Sequence, residues 1–167
     1  IQGGKGLKKA ELDDADHPIA GQLMGSNAAD IAAGAKILVK LGYDVVDINL
    51  ACPVKKIRKK ARGGHLLSDH ETAVDILEAV RDAVGDDVPL TVKLRRAYDD
   101  SDEATARFVT IFEKVIALDY ASATVHGRTV QQKYIGPSDW PALTALVRAY
   151  GDIERQRACG RSGPRML

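Results

Sequence analysis

The sequence is poor in cysteine and carries almost no net charge. Its two cysteines among 167 residues, Cys52 and Cys159, are too few and too far apart for a disulfide framework or a set of metal ligands. The 24 Lys and Arg residues offset the 23 Asp and Glu residues, which leaves a formal net charge of +1. These features exclude a disulfide-rich secreted domain, and they require any nucleic-acid-binding surface to be a local basic patch.

Long hydrophobic runs and a signal peptide are also absent from the sequence. No apolar stretch approaches the roughly 18 residues that a membrane span requires. The first residues, IQGGKG, contain neither an initiator Met nor the hydrophobic segment of a signal peptide. We therefore expect a cytoplasmic protein with no membrane partner, and a chain that begins inside a longer polypeptide.

What the sequence does contain is an ordinary globular composition, with 45% hydrophobic and 28% charged residues, which can bury a sizeable core in one domain. Four short apolar segments are typical of buried strands, and each leads into a helical pattern. The predicted strands are 18–24, 45–50, 88–95 and 121–125. The predicted helices run from a cap at Ser26 or Asn27 to Leu41, and over 68–84, 101–118 and about 139–150.

The alternation of strands and helices predicts βαβ units around a parallel sheet. Right-handed crossovers leave two candidate architectures, a doubly wound sheet and a β/α barrel. Ser68 followed by Glu71 predicts a capping box at the start of the second helix. The stretch from Glu154 to Leu167 is rich in Arg and Gly and has no apolar period, which predicts a tail rather than another βα unit.

Each predicted strand places polar side chains at or near its carboxyl end. They are Gln22, Asp47 with Asn49, Lys93 with Arg95, and His126 with Arg128. Alternate residues share a face of a strand, and buried parallel strands are otherwise apolar, so the set predicts a functional site at this edge. Taken singly, Gln22 is explained as a core amide, Asp47 as a turn cap or ion-pair partner, and His126 as a structural histidine. Lys93 is harder to explain, because a buried ammonium is costly unless a ligand supplies an acceptor.

Cys52 and a run of basic residues follow the second predicted strand. Pro53 disfavours the helical conformation at Cys52, so we expect the thiol on an extended turn at the mouth of the site. There it can act as a proton donor or a nucleophile, while an inert buried cysteine is an equally good interpretation of this residue alone. The basic run favours contact with phosphates, and Gly63-Gly64 predicts a flexible joint beside it. The run comprises Lys55, Lys56, Arg58, Lys59, Lys60 and Arg62.

Six segments within residues 18–147 resemble, in order and spacing, the signatures of the tRNA-dihydrouridine synthases. The segments around Cys52 and His126 are specific when they occur together. One departure is Ala51, which stands where the family commonly has Gly before the Cys. The segments are QLMG (22–25), DINLACPV (47–54), GGHLL (63–67), TVKLR (91–95), VHGRT (125–129) and QKYIGPSDW (132–140).

The resemblance implies part of a TIM (β/α)8 barrel that uses FMN and NADPH to reduce uridine to 5,6-dihydrouridine in tRNA. Gln22, Asn49, Lys93 and His126 would contact the flavin, and Asn49 would also hold the flipped uracil. Cys52 would protonate C5 of the uracil as hydride from FMNH2 reaches C6. No metal is implied. The implied substrate and RNA contacts are Asn49, Lys55, Lys56, Arg58, Arg95 and Arg128.

The resemblance also sets the expected domain boundaries. Residues 1–17 would be a lead-in, 18–150 a partial FMN-binding barrel of four βα units, and 151–167 an irregular tail. A complete barrel takes about 250 residues, so we expect the family's first two strands before Ile1 and its last two after Tyr150. On this interpretation the chain alone binds FMN weakly or not at all, and the full-length protein is a monomer.

Two other functions stay open from the sequence. One is another FMN barrel, similar to dihydroorotate dehydrogenase, that acts on a free pyrimidine; the basic run and the His-Gly-Arg-Thr segment argue against it. The other is an inactive RNA-binding fragment, which the presence of Cys52, Lys93 and His126 disfavours for the parent protein.

Overall fold

Four parallel strands form a single sheet in the computed structural model, which describes residues 12–54, 61–86 and 88–158. The strands are β1 (Ala20–Leu23), β2 (Val45–Leu50), β3 (Leu90–Arg95) and β4 (Ser122–His126). The helices are α1 (Ala28–Lys40), α2 (His70–Val84), α3 (Asp102–Ala117) and α4 (Trp140–Ala158), with short 3₁₀ helices at Asp14–Asp16 and Gly63–Ser68.

The order of the strands in the sheet is the same as their order in the chain. Each crossover therefore moves one strand further in the same direction, and crossovers of one hand then place every helix on one side of the sheet. A doubly wound sheet would reverse direction at a switch point and carry helices on both sides. Of the two predicted architectures, the β/α barrel is the one with this arrangement.

One face of the sheet is hydrophobic and is covered by the helices. The side chains on this face of β2 and β3 are at most 2% exposed, and they pack with the apolar stripes of α1, α2 and α3 in one core. The stripe of α2 consists of Ala73, Ile76, Leu77, Val80 and Val84, which are all buried. No helix in the described part of the chain is long and apolar enough to cross a bilayer. The buried residues of β2 and β3 on this face are Val46, Ile48, Leu50, Leu90, Val92 and Leu94.

The helix caps follow the sequence signals at α1 and α3 but not at α2. Asn27, one of the two predicted caps of α1, and Ser101, the predicted start of α3, each cap their helix by accepting a backbone N–H three residues on. The predicted capping box at Ser68 is wrong, because Asp69 caps α2 and accepts the Thr72 N–H at 3.2 Å. The Ser68 hydroxyl instead donates to the His65 carbonyl at 2.7 Å and closes the preceding 3₁₀ helix.

Several element boundaries also differ from the prediction, those of β3 and α4 among them. β3 starts at Leu90 rather than Val88, since Pro89 has no N–H to donate to a strand ladder. α4 continues to Ala158, past its predicted end near Tyr150. Tyr150 is held inside this helix, where its hydroxyl donates to Glu113 at 3.0 Å and its ring packs edge-on against Phe112.

The carboxyl ends of α2 and α3 are joined by the side chain of Arg81. Its guanidinium donates to the carbonyls of Leu118 and Asp119 beyond α3, at 2.8 and 2.6 Å, and to that of Gly85 at 2.8 Å. It also lies over the ring of Tyr120, 5.5 Å from the centroid. Carbonyls at helix ends have no partner within the helix, so Arg81 satisfies such groups at two helices at once.

We expect Arg81→Ala to lower the free energy of unfolding by about 2–3 kcal/mol, because charge-assisted bonds to carbonyls are lost. Urea denaturation of the purified protein measures this loss. Arg81→Lys keeps the charge but not the three-way geometry, and it should fall between the wild type and the Ala variant. A loss below about 0.5 kcal/mol for Arg81→Ala would show that the two helix ends hold together without this side chain.

Candidate active site

The polar face of the sheet lies opposite the hydrophobic core. Register pairs Gln22 with Asp47, Asn49 with Lys93, and Arg95 with His126. Registered residues of parallel strands point to the same side, and alternate residues of one strand do too. The structure thus brings Gln22, Asn49, Lys93 and His126 to one face, with Asp47 and Arg95 among them.

Polar side chains of β1, β2 and β3 form a connected network of hydrogen bonds. The Gln22 amide nitrogen donates to one oxygen of Asp47 at 2.6 Å, and the Thr91 hydroxyl donates to the other at 2.6 Å. Asn49 donates to the Gln22 amide oxygen at 2.9 Å. Thr91 was not among the predicted site residues, although its position two residues before Lys93 on the same strand could have revealed it.

Cys52 lies on the loop that leaves β2, and its backbone is fixed by Asn49. The Asn49 side-chain oxygen accepts the backbone N–H of Ala51 at 3.0 Å and that of Cys52 at 3.2 Å. The thiol is half-buried and forms no disulfide. Ala51 is not among the residues with positive φ, so the family's usual Gly is not required for this turn.

Gly63 and Gly64 pack directly against the Cys52 loop. Both are buried in the 3₁₀ helix, and the Gly64 N–H donates to the Cys52 carbonyl at 3.0 Å. A Cβ on Gly63 would lie 2.9 Å from the Cys52 Cβ, and one on Gly64 would lie 3.1 Å from the Cys52 oxygen. The prediction of a flexible joint is therefore wrong, because these glycines permit a close approach of two backbones.

Arg95 is buried, with 4% of its surface exposed, and its guanidinium joins two loops. It donates to the carbonyl of Ala51 beside Cys52 at 2.9 Å, and to those of Thr129 and Lys133 at 2.9 and 2.8 Å. The loops after β2 and β4 are thereby tied to each other. The structure gives Arg95 backbone partners, and contact with RNA stays a prediction for this residue.

Lys93 and His126 are the two predicted flavin contacts that are able to bear a positive charge. The Lys93 side chain is exposed, and no partner for its ammonium is found in the described part of the chain. His126 is half-buried, and its Nδ1 accepts the Arg128 N–H at 3.1 Å, which leaves its proton on Nε2 when the ring is neutral. Burial, followed by the charges of Arg95, Arg128 and Lys93, lowers the pKa of His126.

The predicted basic surface is only partly described. Lys55, Lys56 and Arg58 lie outside the described residues. Arg128 is half-buried on the loop after β4, where its Nε donates to the Gly136 carbonyl at 2.7 Å. The structure therefore places Arg95 and Arg128, two of the predicted RNA-contacting cations, near His126, and it leaves the cations of the loop after β2 as predictions.

The donors of this face fit a flat ring that bears carbonyl and ring-nitrogen acceptors. Gln22, Asn49 and Lys93 supply N–H groups, and the flavin ring of FMN offers acceptors of that kind. No group of three or more His, Cys, Asp or Glu residues able to hold a metal ion occurs among the described residues. Flavin binding therefore agrees with the chemistry of the donor set.

Comparison with known proteins relates the chain to an enzyme family. Residues 5–153 match the dihydrouridine synthase family. A probable tRNA-dihydrouridine synthase of Rhodobacter capsulatus is 36% identical, over 93% of this chain and 49% of that protein. Probable tRNA-dihydrouridine synthase 1 of Synechocystis is 39% identical (86% and 41% covered), and tRNA-dihydrouridine synthase B of Pseudomonas aeruginosa is 35% identical (85% and 43%). The chain spans about half the length of these relatives.

We expect Gly63→Ala to destabilise the protein and displace the Cys52 loop. Its φ of +59° and the 2.9 Å approach to the Cys52 Cβ both oppose a side chain. Gly85→Ala is the matched control, because Gly85 has a φ of +63° with nothing within 4 Å of its Cβ position. Backbone strain should cost about 1–3 kcal/mol in either variant, and overpacking should add about 1–3 kcal/mol at Gly63 alone.

Urea unfolding and the alkylation rate of Cys52, which is followed by mass spectrometry, distinguish backbone strain from overpacking against Cys52. The Gly63 variant should change both measurements, and the Gly85 variant should change stability only. Equal stability losses together with an unchanged alkylation rate would contradict the close packing of Gly63 on Cys52.

The lowered pKa of His126 predicts a pH dependence. The folded protein binds this proton less readily than the unfolded chain, whose histidine titrates near pH 6.5. His126 thus contributes stability that is present above about pH 6.5 and lost as the pH falls through the lower folded pKa. An NMR titration of the ring should give a midpoint below the ordinary value.

Variants of two arginines test the cause of this shift. Arg128→Gln should raise the midpoint of His126, because it removes a positive neighbour, whereas Arg107→Gln on α3 should leave it unchanged. A wild-type midpoint at or above the ordinary histidine value would contradict the described surroundings of the ring.

Proposed function

Because the chain belongs to the dihydrouridine synthase family, we propose that the whole protein reduces uridine to 5,6-dihydrouridine in tRNA, with FMN as bound cofactor and NADPH as reductant. The four βα units are part of a TIM barrel. The observation that carries the proposal is the register, which gathers Gln22, Asn49, Lys93 and His126 on the polar face and ends β2 beside Cys52. The carboxyl ends of barrel strands are where such enzymes place their sites.

The polar side chains would hold the cofactor by donating hydrogen bonds to its ring. When bound, FMN supplies the hydride equivalent that reduces the C5–C6 double bond of the base. Lys93 adds a positive charge beside the bound ring, and His126 adds the Nε2–H donor of its neutral form. Fixed donors of this kind stabilise negative charge without reorganising during the reaction.

Cys52 would act as the general acid of the reduction. Its S–H gives a proton to C5 of the base, the S–H bond breaks as the C5–H bond forms, and the thiolate regains a proton from water. The half-buried position of the thiol and the rigid loop beneath it support this role. Asn49 would contact both the cofactor and the base, since its side chain lies between β1 and the Cys52 loop.

The base would reach this face only after leaving the stack of the tRNA. Arg128, on the loop after β4, would contact the RNA directly, and Lys55, Lys56 and Arg58 would extend that contact along the loop after β2. Phosphate contacts of this kind position a substrate without reading its sequence. Arg95 would serve the substrate indirectly, through the loops that it joins.

A matched pair of cysteine variants tests the proposal in the complete polypeptide. We expect the wild type to bind flavin, and to oxidise NADPH with undermodified tRNA but not with free orotate or uridine. Cys52→Ala should keep the flavin and slow dihydrouridine formation by roughly 100-fold or more, the usual effect of a lost general acid. Cys159→Ala removes the second cysteine of this sequence and should leave the rate unchanged.

Dihydrouridine in the tRNA is measured by mass spectrometry of the digested nucleosides. Undiminished product with Cys52→Ala would exclude its acid role. Activity on free pyrimidines alone would point to the other class of FMN barrel, and a flavin-free protein that binds RNA without turnover would overturn the proposal.

A further inference from the structure

Asp47 is linked to the backbone of Cys52 by a chain of hydrogen bonds through two side-chain amides. Gln22 donates to Asp47 at 2.6 Å, Asn49 donates to Gln22 at 2.9 Å, and the Cys52 N–H donates to Asn49 at 3.2 Å. Among the described hydrogen bonds, these three are the ones that connect the Asp47 side chain to the Cys52 loop.

The groups at the two ends of this hydrogen-bonded series, the Asp47 carboxylate and the Cys52 N–H, require compatible orientations of the two amides between them. A carboxylate can only accept, so Gln22 must turn its nitrogen to Asp47 and its oxygen to Asn49. A backbone N–H can only donate, so Asn49 must turn its oxygen to the Cys52 loop and its nitrogen to Gln22. Both requirements are satisfied by the hydrogen bond between the two amides, in which the Asn49 nitrogen donates to the Gln22 oxygen.

The direction of the chain decides what the two amides can offer a ligand. Each amide nitrogen has two hydrogens, and one of them is used in the chain, so each amide has one N–H left. With the ammonium of Lys93, these groups make the face a surface of donors. A ligand edge that consists of carbonyl and ring-nitrogen acceptors complements such a surface.

We propose that Asp47 is a positioning residue, which fixes the direction of the Gln22 and Asn49 amides so that both present N–H donors to the cofactor while Asn49 holds the Cys52 loop. This inference rests on the proposed function, because it assigns the donors to a flavin. The Thr91 hydroxyl, at 2.6 Å, holds the second oxygen of Asp47 and orients the carboxylate. Asp47 itself touches neither cofactor nor base.

Asp47 can act through its negative charge or by fixing the orientation of the Gln22 amide, and one substitution distinguishes these two contributions. Asp47→Asn removes the charge but keeps an oxygen acceptor for Gln22, and its new N–H2 group can donate to the Thr91 hydroxyl, which also accepts. The chain of bonds can then keep its direction. Asp47→Ala removes the acceptor, and the Gln22 amide is released to rotate.

The affinity of the apoprotein of the complete polypeptide for FMN, followed by quenching of flavin fluorescence, provides a readout that does not depend on turnover. We expect Asp47→Ala to raise the Kd about tenfold, the usual effect of one lost hydrogen bond in a site. Asp47→Asn should stay within about threefold of the wild type. Thr91→Val removes the hydrogen bond that orients the Asp47 carboxylate, and it should weaken FMN binding by less than Asp47→Ala does.

A double-mutant cycle tests whether Asp47 acts through Gln22. Gln22→Leu should weaken FMN binding by itself, and Asp47→Ala should add almost nothing in that background, since the link is already broken. A merely structural role would instead give additive losses. If Asp47→Ala does not fold, as judged by circular dichroism, Asp47→Val takes its place, because a β-branched residue suits the strand.

The outcomes distinguish this inference from the function on which it rests. A wild-type protein that binds no FMN overturns the proposed function and this role with it. A wild type that binds FMN and forms dihydrouridine, with Asp47→Ala equally tight, overturns the positioning role alone. An Asp47→Asn variant as weak as Asp47→Ala shows that charge rather than direction is the contribution, which also contradicts the proposal.

Discussion

The parallel register of the four strands decides what each face of the sheet can do. Registered side chains point the same way, so the aliphatic residues of β2 and β3 meet the helices while the amides, the ammonium and the imidazole gather on the other side. A slip of one residue would exchange the two faces. The free energy gained by burying one face therefore also fixes the geometry of the candidate active site.

The fold was predictable where local signals were unopposed. The 45–50 strand was predicted correctly, because its apolar alternation is unbroken, and the structure selects Asn27 from the two predicted caps of α1, Ser26 and Asn27. Ser68 and Asp69 are both good caps one residue apart, and their competition is settled by the 3₁₀ helix that Ser68 closes. α4 runs past Tyr150 although the sequence there has no apolar period, because Glu, Arg, Gln and Ala have high helix propensity.

The site was predictable to the level of its face but not of its contacts. Alternation along β2 and β3 correctly put Asn49 with Asp47 and Lys93 with Arg95. It could not show that carbonyls from two loops accept from the Arg95 guanidinium, or that Gly63 lies against Cys52, because these contacts join different segments of the chain and do not follow from the alternation within one strand. Local sequence patterns show which face of the sheet a side chain lies on, whereas its hydrogen-bond and packing partners depend on the tertiary structure.

The guanidinium of Arg95 has a consequence for how such proteins can diversify. One side chain bonds to the backbone beside the thiol and to the backbone beyond the imidazole, so neither segment can change its path alone. A transplant of the β4 loop from a relative would have to carry the matching β2 loop, or the graft would leave a buried cation without its acceptors. Loop length at these two places should therefore change in concert between homologues, even though some 80 residues of chain separate them.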